Sequence, residues 1–135
     1  MRVRILFVLW LGLLACGCRK EKSTDELLGD LTSSQEGDRI KAVRLLPQRK
    51  GDAAQIVPAM IKALKDKAGD VRWSAAIGLG SFGEQAKEAV PALQAARRDR
   101  DARVREAARV ALSRIDPSLA PKAAPPKGGG TKGEG

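Results

Sequence analysis

Small and apolar side chains recur along this chain with a period of 33 residues. In each copy an arginine is followed by an alanine three residues later and by a leucine seven residues later. The three sets are Arg39, Ala42 and Leu46; Arg72, Ala75 and Leu79; and Arg105, Ala108 and Leu112. An earlier apolar position, occupied by Leu27, Met60 and Leu93, keeps the same register. Repetition at this spacing is typical of a solenoid, in which each unit buries its apolar face by stacking on its neighbours.

The pattern therefore predicts an all-α, right-handed solenoid of three helix pairs. The units are placed at residues 24–56, 57–89 and 90–116, within a domain of residues 23–116. Ser23 and Glu26 have the spacing of a capping box, which predicts the start of the first helix. Proline suits the first turn of a helix, so the first helices of units two and three should begin at or near Pro58 and Pro91. The second helices of these units are predicted at about 70–80 and 102–115, with a turn at Gly80, Ser81 and Gly83.

The third unit departs from the pattern on one helix face. At two repeat positions the apolar residues of units one and two become polar: Leu28 and Ile61 become Gln94, and Leu31 and Leu64 become Arg97. A polar outer face is what a terminal repeat requires, so the array should end here. Asp116-Pro117 should stop the last helix, and the Pro- and Gly-rich residues 117–135 are predicted to form a disordered tail.

One combination of residues in the third unit resembles a known repeat family. The residues are Val90-Pro91-Ala92-Leu93, Asp99, Val104-Arg105, Ala108 and Leu112. They resemble the short HEAT-like repeats first described in phycobiliprotein-lyase-related proteins, over residues 24–116. The resemblance implies that the second helices line a concave face. It also implies a structural ladder of Asp66 with Arg72 and Asp99 with Arg105, which staples one repeat to the next. Ser33 stands where the first such Asp would fall, so the ladder should be incomplete at the first unit.

The second helices also predict a partner-binding face. Val71, Ala75 and Leu79 lie on one side of their helix at a spacing of four and should face inward. The opposite side of the three second helices carries Ile40, Lys41, Arg44, Trp73, Ile77, Val110 and Arg114. An apolar strip bordered by cations is a common docking surface. Trp73 should face solvent, because its counterparts are Ile40 and Glu106. In the alternative, Ile77 and Val110 are half-buried between helices and only Trp73 is exposed.

The composition argues against an enzyme. The 135 residues include no His, no Tyr and only two Cys, and no nucleophile stands in a recognisable pattern with a base. We therefore predict no catalytic residue, no cofactor and no metal site. The net charge is +9, but residues 24–116 hold 17 basic and 14 acidic residues, a net charge of only +3. Acids interleave with the arginines of the third unit, so no nucleic acid is expected as partner; an anionic envelope polymer is the alternative ligand of that unit.

The amino terminus predicts export and a lipid anchor. Residues 5–15 form an apolar run of 11 residues after a basic start, too short to span a bilayer and typical of a signal peptide, here residues 1–15. The end of this run, Leu13-Leu14-Ala15-Cys16, resembles the bacterial lipobox, which implies lipidation of Cys16, with Cys18 as the alternative. Residues 16–22 are then the lipidated Cys and its tether. An ordinary signal peptide with paired or metal-binding cysteines fits less well, because Cys-x-Cys is too close for an unstrained disulfide.

These inferences give a location and two function classes. The protein is predicted to be lipid-anchored in the bacterial cell envelope, at the outer membrane, because neither Gly17 nor Arg19 is the Asp that retains lipoproteins in the inner membrane. In the first class it is a non-catalytic module that docks an envelope protein or peptide on the concave face. In the second it is an accessory or lyase-like protein. The family resemblance alone supports the second class, since residues 24–116 contain no Cys or His to hold a bilin.

Overall fold

The structure is a computed structural model and describes residues 21–119. It contains six α-helices, which are α1 (Thr24–Asp30), α2 (Glu36–Leu45), α3 (Ala53–Ala63), α4 (Gly69–Phe82), α5 (Val90–Ala96) and α6 (Ala102–Ile115). Short 3-10 segments occupy Leu46–Gln48, Lys50–Asp52, Gly83–Ala89 and Pro117–Leu119. No strand occurs among these residues. The predictions for the signal peptide, the lipidated Cys and most of the tail lie outside the described residues.

The helices form three pairs that stack in chain order, so the predicted all-α solenoid of three helix pairs is confirmed. The second helices α2, α4 and α6 lie side by side, with α4 in the middle, and they form most of the contact between repeats. Ala42, Ala75 and Ala108 are completely buried, as close helix contact requires. We refer to the outward surface of α2, α4 and α6 as the second-helix face.

Two glycines let α4 approach both of its neighbours closely. A Cβ atom on Gly80 would lie 2.9 Å from the Cα atom of Ala111 on α6. A Cβ atom on Gly78 would collide with the tip of Met60 and lie 2.7 Å from the Cγ atom of Pro47. Both distances are shorter than ordinary van der Waals contact between carbon atoms. The central helix therefore needs a residue without a side chain toward each neighbouring repeat.

Several helix boundaries follow the prediction. The capping box is present: the Glu26 amide donates to the Ser23 hydroxyl, and the Ser23 amide donates to the Glu26 carboxylate at 2.8 Å. Helix α5 begins at Val90 with Pro91 in its first turn. Helix α6 ends at Ile115, directly before Asp116. The first residues of the predicted tail, Pro117–Leu119, instead form a 3-10 turn.

The prediction was wrong about the start of α3 and the end of α4. Helix α3 begins at Ala53, so Pro58 lies inside it. Pro58 is exposed, so water can reach the carbonyl that its missing N–H leaves without a partner. Helix α4 continues through the expected turn to Phe82, because the Phe82 side chain is buried in the core. The chain turns at Gly83, whose φ of +55° favours glycine.

Candidate functional site

Two ion pairs of the same geometry join the three repeats. The Arg39 Nε atom donates to the Asp66 Oδ2 atom at 2.8 Å, and the Arg39 Nη2 atom donates to Oδ1 at 3.1 Å. Arg72 makes the same fork with Asp99, at 2.8 and 2.9 Å. Fork-shaped pairs of this kind fix orientation as well as charge. Each staple therefore ties the second helix of one repeat to the loop of the next.

The staples correct the ladder predicted from the sequence. A carboxylate pairs with the arginine 27 residues before it, not with the arginine six residues after it. The arginine six residues later bonds to the backbone carbonyl of the aspartate and not to its carboxylate. The Asp66 carbonyl accepts from Arg72 and the Asp99 carbonyl accepts from Arg105, both at 2.9 Å. Both interfaces between repeats therefore have an ion pair, and the ladder is complete at the first unit.

Two details of the ladder explain the error. The Ser33 carbonyl accepts from Arg39 at 2.9 Å, so no carboxylate is needed at position 33. Arg105 is exposed and has no carboxylate partner among the described residues. Arg39 is the ladder residue that the sequence analysis missed. Its signal was present, since Arg39 occupies the same repeat position as Arg72.

The staples change the ionisation of their groups. The hydrogen bonds from Arg72 hold the pKa of Asp99 below its usual value, although burial opposes them. Burial acts to raise the pKa of Asp66, but the hydrogen bonds from Arg39 and from the Ala68 amide outweigh it, so this pKa is also lowered. The bond to Asp99 in turn raises the pKa of Arg72. Both pairs are therefore charged at neutral pH.

The second-helix face contains two apolar grooves that share one ridge. The α2–α4 groove has a volume of about 480 Å³ and its lining includes Arg44 and Pro47. The α4–α6 groove has a volume of about 590 Å³ and its lining includes Val110 and Arg114. Trp73 and Ile77 line both grooves, so they form the ridge between them. Five of the seven residues predicted for the face are thus brought together around α4. Ile40 lines neither groove, and Lys41 lines a separate pocket beside Leu27.

Exposure along this ridge differs from the prediction. Ile77 is the exposed residue, at 42%, whereas Trp73 is partly buried and packs against the core. Ile40 and Val110 are also partly buried. The expectation that Trp73 faces solvent is therefore wrong, and so is the alternative in which Trp73 alone is exposed. The reason is its place on the central helix, where a large ring meets neighbours on both sides.

The three cations predicted for the face have no acidic partner within residues 21–119, and two of them, Arg44 and Arg114, line the grooves. Lys41, Arg44 and Arg114 are exposed, and none of them forms an ion pair within residues 21–119. Two other arginines nearby are neutralised. Arg103 pairs with Asp70 and Asp101 at 2.9 Å, and Arg109 pairs with Glu106 at 2.5 Å. The arginine run of the third repeat is therefore partly self-paired.

Comparison with known proteins identifies the family. A model of HEAT repeats matches residues 24–120. The chain belongs to the HEAT-repeat family. Among solved structures the chain is similar to one from "the complex of CpcE and CpcF of phycocyanin lyase" of Nostoc sp., with 29% identity and a TM-score of 0.67. The match covers 74% of this chain and 40% of that chain, so this chain spans about two fifths of its length. No curated protein matches.

Among the described residues of the HEAT array, one buried side-chain hydroxyl has no hydrogen-bond partner. Ser74 on α4 lines the α2–α4 groove, and its buried Oγ atom has no hydrogen-bond partner among the described residues. Ser81 and Ser113 behave differently, because each hydroxyl donates to the carbonyl three residues earlier. The sequence did not predict that the Ser74 hydroxyl would be buried.

The HEAT repeats contain few groups for other chemistry. Within residues 21–119 no three His, Cys, Asp or Glu side chains lie close enough to hold a metal ion. None of the helices in this part of the chain has the length and apolar character needed to cross a bilayer. Cys16 and Cys18 lie outside the described residues, so their predicted lipidation stays a prediction.

Proposed function

We propose that this HEAT-repeat protein is a non-catalytic interaction module that binds a protein or peptide on its second-helix face. The observation that carries the proposal is the ridge of Trp73 and Ile77 between two apolar grooves. An apolar surface with a polar border is typical of a docking site, and a well-packed aromatic residue at its centre is typical of a hot spot. Protein partners in general are also supported by the similar chain, which comes from a complex of two proteins.

We further propose that the module acts at the bacterial cell envelope. The lipobox-like residues before Cys16 support a lipid anchor there, with Cys18 as the alternative attachment site. Outer-membrane sorting follows from the residue after the lipidated Cys, and the partner is then an envelope protein or peptide. A single acyl chain binds membranes only weakly, whereas several chains on one residue give a stable anchor.

Crosslinking from envelope fractions tests the binding face. A photoreactive residue placed at position 73 should capture a discrete partner, and Ile77→Asp should abolish capture because it puts a charge on the exposed part of the ridge. Leu119→Asp is the matched control, since Leu119 is a similarly exposed apolar residue away from both grooves. Equal capture by the protein with and without Ile77→Asp would refute the proposal.

Membrane partition tests the anchor separately. The protein should enter the detergent phase and incorporate labelled palmitate, and the Cys16→Ser, Cys18→Ser double variant should do neither. The two single variants decide which Cys carries the lipid. If the double variant still entered the detergent phase, the anchor would not be a lipid on either Cys.

A second candidate is an accessory or lyase-like role, which the similarity to a phycocyanin lyase chain favours. The HEAT repeats offer no Cys or His to hold a bilin covalently, so the role would rest on noncovalent contact. Absorbance separates the two candidates: the protein purified from cells that make a bilin should be colourless if it is an interaction module. A bound chromophore in the visible spectrum would favour the lyase-like role.

A further inference from the structure

The buried hydroxyl of Ser74 is a polar group that the fold does not use. Ser74 is 6% exposed, and its Oγ atom makes no hydrogen bond within the described residues. Such a hydroxyl costs free energy, and native proteins leave few of them. Packing does not require serine at this position, because Ala107 is the counterpart in the next repeat and is also buried. The hydroxyl therefore points to a ligand of the α2–α4 groove, which Ser74 lines. Because the Oγ atom is covered in the free protein, the Ser74 side chain would turn toward the groove to meet this ligand.

The charges around the two grooves indicate the sign of that ligand. Arg44 lines the α2–α4 groove and Arg114 lines the α4–α6 groove, and neither forms an ion pair within residues 21–119. The carboxylate that lines the second groove, Glu106, is already engaged by Arg109. A bound segment that carries carboxylates would thus meet unpaired positive charge at both grooves.

We infer that the partner presents one extended acidic segment with two apolar anchors, one for each groove, and a main-chain carbonyl that accepts a hydrogen bond from Ser74. The inference rests on the proposed function, because it names the partner chemistry of the same face. Carboxylates that flank the anchors pair with Arg44 and Arg114. The anchors lie on either side of the ridge formed by Trp73 and Ile77.

The spacing of the anchors follows from helix packing. Neighbouring helices pack with their axes about 8–10 Å apart, so the grooves on the two sides of α4 are separated by about the same distance. An extended chain in the polyproline II conformation has about three residues per turn and rises about 3.1 Å per residue, so its side chains i and i+3 lie on the same side about 9 Å apart. A helix could match the distance at i and i+7, but its main-chain carbonyls are already hydrogen-bonded. The unpaired hydroxyl of Ser74 therefore favours the extended form.

Peptide selection tests this chemistry. Random peptides displayed on phage are selected against the purified full chain, and the affinity of the recovered peptides is measured by fluorescence anisotropy. We expect two apolar residues three positions apart with Asp or Glu on both sides. Ser74→Ala should weaken binding about tenfold, as the loss of one hydrogen bond does. The same change should raise the melting temperature, because it removes a buried hydroxyl that has no partner in the free protein.

Charge reversal gives a second measurement with a matched control. Arg44→Glu combined with Arg114→Glu should weaken peptide binding more than tenfold, whereas Lys62→Glu on α3 should leave it unchanged, because Lys62 is exposed away from the grooves. Ser113→Ala is the control for the serine, since the Ser113 hydroxyl already donates to the Val110 carbonyl. Neither control should alter the affinity for the selected peptides.

The outcomes separate this inference from the proposed function. Basic or uncharged peptides, or peptides that bind the Ser74→Ala variant as tightly as the unchanged protein, would overturn the inference. If such peptides still lose binding with Ile77→Asp, the face is a binding site and only the partner chemistry is wrong. If no recovered peptide depends on Ile77, or none is recovered, both the inference and the proposed face are refuted.

Discussion

The interface between repeats one and two and the interface between repeats two and three share a staple but differ in packing. Arg39 with Asp66 and Arg72 with Asp99 have nearly the same bond lengths. The contacts between helices are less alike. At the second interface Gly80 faces the backbone of α6, whereas at the first interface Gly78 faces the ring of Pro47 and, within its own repeat, the flexible tip of Met60. The repeat thus reproduces its polar bonds more closely than its apolar contacts.

The difference determines which atoms must move when a larger side chain is placed at each contact. A backbone atom moves only if the whole helix moves, whereas the tip of a methionine can change rotamer. The contact of Gly80 is therefore limited by helix position, and that of Gly78 by side-chain conformation. The staples hold both interfaces in the same register.

Removal of one staple should have the largest effect. Asp99→Ala leaves the guanidinium of Arg72, which is only 6% exposed, without its carboxylate. Breaking a buried pair in this way should cost about 3 kcal/mol of unfolding free energy. Asp66→Ala should cost the same within error if the staples are equivalent. Urea unfolding followed by circular dichroism measures both, and a large difference between the two variants would show that the staples are not equivalent.

The glycines should separate the two interfaces. Gly80→Ala should cost about 2 kcal/mol, because the new methyl group meets the Cα atom of Ala111 and overpacks the contact. Gly78→Ala should cost only about 1 kcal/mol, because Met60 can turn aside and alanine is the better helix former. The same urea experiment ranks the variants. The opposite order would mean that Pro47 makes the first interface the more rigid one.

Acid should weaken the two staples together. The pKa values of Asp66 and Asp99 are lowered in the folded protein, so each contributes stability that is present above the unfolded pKa of about 4. This stability is lost as the pH falls through the lower folded pKa. The unfolding free energy of the unchanged protein should therefore fall more steeply below about pH 4 than that of the Asp66→Asn, Asp99→Asn double variant. Parallel curves would contradict the lowered pKa values.

The unpaired arginine of the last repeat should have the smallest effect. Arg105 occupies the position of Arg39 and Arg72 but is exposed, and within residues 21–119 its side chain bonds only to the carbonyls of Asp99 and Arg100. Arg105→Gln should change the unfolding free energy by no more than about 0.5 kcal/mol, as surface substitutions usually do. A loss comparable to that of Asp99→Ala would indicate that the carbonyl bonds, not the fork, carry the ladder.

Most of the fold could be predicted from the sequence, because the period fixes which residues are equivalent. The completely buried alanines and the helix pairs follow from that period alone. The period did not predict which aspartate of the ladder pairs with which arginine. Aspartate and arginine that stand six residues apart within a unit look like partners, yet stacking brings the carboxylate to the arginine of the preceding unit. Pairing depends on the offset between units, which a repeat pattern does not contain.

The candidate site was predicted in outline and missed in detail. Spacing on the second helices identified the face, but not the depth of any side chain within it. Trp73 is half covered because α4 has a neighbour on each side, whereas Ile77, one turn later, stands out of the ridge. The burial of the Ser74 hydroxyl depends on how closely α2 approaches α4. Such depths follow from three-dimensional packing and not from the order of residues.

The entry of the chain into the first repeat has a mechanical consequence. The Lys22 carbonyl accepts from Arg49 at 2.5 Å, and the Thr24 hydroxyl donates to Asp52 at 2.5 Å, so the start of the repeat is bonded to the loop before α3. A pull on the amino terminus would load these bonds first. Force applied through residue 21 would therefore open the first helix pair before the force acted on the ridge of α4. A tethered molecule would keep that ridge intact under moderate tension.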